Sequence, residues 1–129
     1  MTAVPVLLLV HKRPCLVAQV MDVLRAVKCT KLYVAADGPR LAVNGETAAC
    51  LAARAAALRV NWPCQVETRL LAVNHGCARA VSSAITWFFE HVERGIILEE
   101  DCVPEPTFFP FCEELLDRYA DAPSVGAIT

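Results

Sequence analysis

The sequence predicts an α/β fold, a Rossmann-like parallel sheet with helices on both faces, and three observations carry that expectation. Short apolar runs alternate strictly with longer amphipathic segments along the whole chain. The leading runs are apolar at consecutive positions, as strands covered on both sides require. The chain is 129 residues long, which suits one domain of this class. Val4-Pro5-Val6-Leu7-Leu8-Leu9-Val10 reads as a central strand. Pro14 stands where a first helical turn begins, and Leu16, Val20, Val23, Leu24 and Val27 supply a helical stripe. Leu32 to Ala36 is a second buried strand, stopped by Asp37-Gly38-Pro39. Asn44 is the expected cap of an alanine-rich helix running to about Leu58. Cys64 to Leu71 reads as a third strand with partial alternation. Asn74 to Val92 is the clearest helix, with Ala78, Val81, Ile85, Phe88 and Val92 on one face. Gly95 ends it, Ile96-Ile97-Leu98 forms a fourth strand, and Pro106 opens a last helix through Phe109, Leu115, Leu116 and Tyr119. Val125 to Ile128 begins a fifth strand.

Composition narrows the function classes. Hydrophobic residues make up 56% and charged residues 20% of the chain, and mean hydropathy is +0.43, which excludes intrinsic disorder. A formal charge of −2 and an isoelectric point near 5.9 give no basic footprint for nucleic acid or an anionic membrane. The first apolar run is too short to span a bilayer. The seven cysteines show no Cys-x-x-Cys spacing, so neither a zinc ribbon nor a disulfide framework is expected, and a reducing, cytoplasmic compartment is. The whole chain, 1–129, reads as a single unit. Its finish on a strand suggests either a domain cut from something longer or a terminal strand that completes the sheet.

In an open parallel sheet, ligands bind beyond the carboxyl ends of the strands. The four strand exits here are His11-Lys12-Arg13-Pro14, Asp37-Gly38-Pro39-Arg40, Asn74-His75-Gly76 and Glu99-Glu100-Asp101. Three consecutive carboxylates after a buried strand repel one another, and a hard cation such as Mg²⁺ or Mn²⁺ would offset that cost. A solvated acidic turn is the plainer reading of the same residues. Gly76 opens a helix whose N–H groups suit a phosphate, or it simply makes the turn. There is no Gly-x-Gly-x-x-Gly, no Walker loop, and no Ser-His-Asp or Cys-His constellation.

These exits, and above all the run from Gly95 through Glu99-Glu100-Asp101-Cys102-Val103-Pro104-Glu105-Pro106-Thr107-Phe108-Phe109, resemble GT-A-fold glycosyltransferases of the N-acetylglucosaminyltransferase I type and its bacterial relatives. The resemblance covers essentially the whole chain. It implies the nucleotide-binding half of a metal-dependent glycosyltransferase with a UDP-sugar donor. Asp101 matches the acid that ligates Mn²⁺ (or Mg²⁺) directly, and Glu99 and Glu100 match the acids beside the ribose and the metal's water shell. Arg13 matches a basic residue by the base and diphosphate, Asp37 an acid reading the uracil or ribose, and His75 a histidine touching the nucleotide. The middle acid, Glu100, stands where the family carries Asp. A saccharide acceptor and the catalytic base would belong to a C-terminal part beyond this chain, and the uncovered face would favour self-association. Two other functions suit the same exits: a non-catalytic nucleotide-binding module, and a doubly wound Mg²⁺-binding domain of receiver type.

Overall fold

The computed structural model describes residues 2–120. Strand and helix alternate through them: β1 (Val6–Val10), α1 (Pro14–Ala26), β2 (Lys31–Ala36), α2 (Glu46–Ala57), β3 (Gln65–Leu70), α3 (Cys77–His91), β4 (Ile96–Glu99) and α4 (Phe108–Arg118). The strands form one sheet in the order β3-β2-β1-β4, with every pairing parallel. Leu8 of β1 lies opposite Val34 of β2 and Leu98 of β4. The α/β class and the parallel sheet expected from the sequence are both present.

The strand order decides where the helices go. From β1 the chain steps to β2 and on to β3 in one direction, then returns across the sheet to place β4 on the other side of β1. Crossovers of one hand that step in opposite directions put their helices on opposite faces. Accordingly Val6, Leu8, Val10, Leu32, Val34, Ala36, Ile96 and Leu98 share a core with α1, α2 and Phe109 of α4. The alternate positions Leu7, Tyr33 and Ala35 meet Ala84 and Phe88 of α3. Val6, Leu7 and Leu8 are fully buried, which is why consecutive apolar residues are needed there. Each such side chain contributes about 1.5–3 kcal/mol when taken from water.

Element boundaries follow local chemistry. Pro5 has no N–H to give and stays outside β1, yet its carbonyl accepts Ile96 N–H at 2.9 Å. α1 starts at Pro14 as expected. Asn44 does not cap α2. The N-cap is Gly45 at φ +79°, with no side-chain cap, because turns closed from Val43 N–H to Arg40 C=O and from Glu46 N–H to Val43 C=O carry the chain in. A left-handed φ favours glycine at that position. α3 begins at Cys77, later than Asn74, because residues 74–76 are held in a loop by Asp37. Pro106 and Thr107 form a turn ahead of α4. The strand expected at Val125–Ile128 lies outside the described residues.

No helix among the described residues is long and apolar enough to cross a membrane. All seven cysteines carry free thiols; Cys29 and Cys50 are buried, whereas Cys15, Cys77 and Cys102 are exposed. Burial, and then the neighbouring Cys64, push the Cys29 thiol up to about 12. A thiol reagent applied to the native protein at neutral pH should therefore label the exposed Cys15 and Cys77 quickly, and Cys102 more slowly because its hydrogen bond to Asp101 pushes the thiol up. Cys29 and Cys50 should react only after unfolding. Mass spectrometry of time-quenched samples reads the order, and early labelling of Cys29 would contradict the buried placement.

Candidate functional site

A cleft of about 500 Å³ opens at the carboxyl ends of the strands, lined by the exits of β1, β2 and β4 and by the first turns of α3. It sits at the switch point of the sheet, where the strand order reverses between β1 and β4. Lys12, Arg13 and Arg40 line it together with Glu99, Glu100 and Asp101, while Ala80 and Val81 of α3 add an apolar wall.

Two of the acids expected to touch ligand are turned inward onto loops. Glu100 is buried, and its carboxylate accepts the N–H groups of His11 at 2.8 Å, Lys12 at 3.1 Å and Arg13 at 3.3 Å. It thereby holds the β1–α1 connection while still lining the cleft. Asp37 accepts Gly38 N–H and His75 N–H at 2.8 Å on one oxygen, and Gly76 N–H and the Asn74 side-chain amide at 3.1 Å on the other. A carboxylate has about four acceptor positions, so a contact to uracil or ribose would require one of these bonds to be released. Gly38 allows this closeness, since a Cβ there would lie 2.7 Å from Asn74 N. Arg54 of α2 completes the tie, donating to the carbonyls of Asp37 at 3.0 Å and Leu71 at 2.6 Å. His75 contributes its backbone N–H; its side chain is exposed and is not among the cleft's walls.

Glu99 and Asp101 point the other way. With Cys102 they bring one ligand atom each within 4.8 Å of one another, and all three residues are exposed. Two carboxylates suit a hard divalent cation, and the thiol adds a softer donor. The exposure leaves coordination positions open to a ligand's oxygens, so the donor set fits an open, weakly held cation. At present the Cys102 thiol donates to Asp101 at 3.6 Å. Arg13 lies 3.6 Å from Asp101, both half-exposed, so the expected base-side cation and metal-side acid are neighbours.

The cationic side depends on a residue the sequence reading passed over. Glu46, at the first position of α2, has a side chain only 1% exposed and accepts from Lys12 Nζ at 3.1 Å and Arg40 Nη2 at 2.8 Å. Arg40 Nε and backbone N–H also donate to it, and His11 Nε2 stands 3.9 Å away. As sequence, Glu46 is an ordinary first-turn acid, and only its burial marks it. Lys12 and Arg40 were visible at the strand exits, but nothing in their spacing showed that one carboxylate holds both.

The Arg40 guanidinium, then the Arg40 backbone N–H and Lys12, hold the Glu46 carboxyl well below the usual carboxylate range. A depressed folded-state value makes Glu46 stabilising above its ordinary value of 4.5, with that stability lost as pH falls below it. Urea unfolding at descending pH should show wild type losing stability more steeply than Glu46→Gln below about pH 4.5. Parallel slopes would mean that Glu46 is not the charged partner seen in the structure. No protein-family model, curated protein or solved structure matches the chain, which leaves the chemistry of the cleft as the guide to its use.

Proposed function

We propose that this chain is the nucleotide-sugar-binding domain of a metal-dependent glycosyltransferase that takes a UDP-sugar donor. One observation carries the reading: cations from the first two strand exits and open carboxylates from the fourth line one cleft at the switch point. The diphosphate would meet Lys12, Arg13 and Arg40. The apolar wall at Ala80 and Val81 suits the flat, less polar part of a nucleoside. The cleft's three cations, Lys12, Arg13 and Arg40, face four lining carboxylates, Asp37, Glu99, Glu100 and Asp101, and Glu46 behind Lys12 and Arg40 brings the formal balance to −2. A diphosphate approaching such a site is repelled unless a divalent cation accompanies it. Glu99 and Asp101 are the residues that would hold Mn²⁺ or Mg²⁺, whose chemistry is to neutralise the charge that develops on the departing nucleotide. Asp37 and Glu100 then serve as clamps that keep the loops in place. Seven free thiols favour a cytoplasmic setting.

A binding module without catalysis has its own support. Asp37, Glu46 and Glu100 are each tied to loop amides or cations, and Glu99 and Asp101 are needed for the metal. Among the described residues, no carboxylate lining the cleft is left to take a proton from an acceptor hydroxyl. These 129 residues should therefore bind the donor without transferring its sugar.

Calorimetric titration with UDP, with and without Mn²⁺, tests the reading. Affinity should rise by about tenfold or more with the metal, equivalent to ~1.4 kcal/mol. Asp101→Asn should remove that gain, and Glu99→Gln, which takes away the second carboxylate of the same pair, should reduce it. Equal UDP affinity with and without Mn²⁺ would rule out a bridging metal.

A further inference from the structure

The β1–α1 connection and the β2–α2 connection are separate loops, and their cations converge on one buried carboxylate. Lys12 comes from the first and Arg40 from the second, and Glu46 takes Lys12 Nζ at 3.1 Å together with Arg40 Nη2 at 2.8 Å and Arg40 Nε at 3.2 Å. We propose that Glu46 is a positioning residue, which fixes Lys12 and Arg40 side by side as the diphosphate-binding pair of the cleft. This rests on the nucleotide-diphosphate reading above and deepens it.

The donor inventory supports the assignment. Lys12 has three N–H donors and gives one to Glu46; Arg40 has five on its guanidinium and gives two. The remaining donors of both residues are left for phosphate oxygens, and both residues line the cleft. Two cations against one carboxylate also leave a net positive charge at this corner, so holding them does not cancel them. Glu46 itself is not among the cleft's walls, so it would act through its partners rather than by contact. Without it, Arg40 would be a long side chain on the loop between Asp37 and Gly45, free to sample solvent. Binding would then have to order it, and much of its attraction for phosphate would be spent on that.

A merely structural ion pair makes a different prediction. If Glu46 only staples α2 to its neighbours, its loss weakens every ligand of the cleft alike. If it positions phosphate-binding cations, its loss lowers affinity for UDP and leaves uridine, which has no phosphate, where it was.

The test compares UDP with uridine on the 129-residue chain in the presence of Mn²⁺, by calorimetry, for wild type, Glu46→Gln and Arg40→Gln. Circular dichroism establishes that each variant is folded. The preference for UDP over uridine should fall about tenfold in both variants, with uridine affinity unchanged. Arg40→Gln alters a half-exposed loop residue and keeps the proposal testable if Glu46→Gln does not fold. An unchanged UDP preference in Arg40→Gln, or in folded Glu46→Gln, would overturn the proposal, as would an equal loss of both ligands. Wild type that binds uridine and UDP equally would overturn it while leaving nucleoside binding intact. Wild type that binds neither would take the nucleotide reading down with it.

Discussion

Carboxylates turned inward onto neighbouring loops hold the ligand edge of this protein together. A parallel sheet ends in connections whose backbone N–H groups have left the ladder, and buried groups of that kind must find acceptors. Glu100 supplies them for residues 11–13, Asp37 for residues 38, 75 and 76, and Glu46 for residue 40. Each carboxylate reaches groups from another strand exit, so all four strand-to-helix connections are tied across the edge. A charged acceptor contributes more per bond than a neutral one, typically about 1.5–3 kcal/mol. The cleft can therefore stay open without apolar packing to hold its walls, which is what a polar ligand requires.

Much of the fold was legible in the sequence and rather less of the site. Strand and helix alternation, the placement of Pro14 at a helix start and the burial of β1 on both faces follow from local pattern alone. The errors lie where a long-range bond outbid a local preference. Asn44 is a good capping residue, but turns closed through Arg40, Val43 and Glu46 set the start of α2 at Gly45 instead. The helix expected from Asn74 starts only at Cys77, since Asp37 holds the preceding residues in a loop, and Ala78, expected on its apolar face, is exposed. Glu46 was invisible for the same reason. Its partners lie 6 and 34 positions away, and no short-range spacing encodes that meeting.

The acidic triplet shows how periodicity divides like residues between structure and chemistry. Along β4, Ile96 and Leu98 face inward and are buried, while Ile97 is 38% exposed and Glu99 is exposed. Side chains alternate between the two faces of a strand, and the alternation continues past its end: Glu100 is buried and Asp101 exposed. The inward acid cannot remain an unpaired charge, so it takes backbone N–H groups from the β1–α1 connection. The outward acids, one residue to either side, have no such donors and stand with Cys102 close enough to share an ion. Repulsion between adjacent carboxylates, which on sequence grounds called for a metal across all three, is thus relieved differently for each part. Backbone amides satisfy the middle acid, and the flanking pair keeps the unmet demand for positive charge. Arg13 answers part of that demand at 3.6 Å from Asp101. The cation on the loop organised by the inward acid is therefore the one presented to an outward acid, which joins the scaffold of the cleft to its charge.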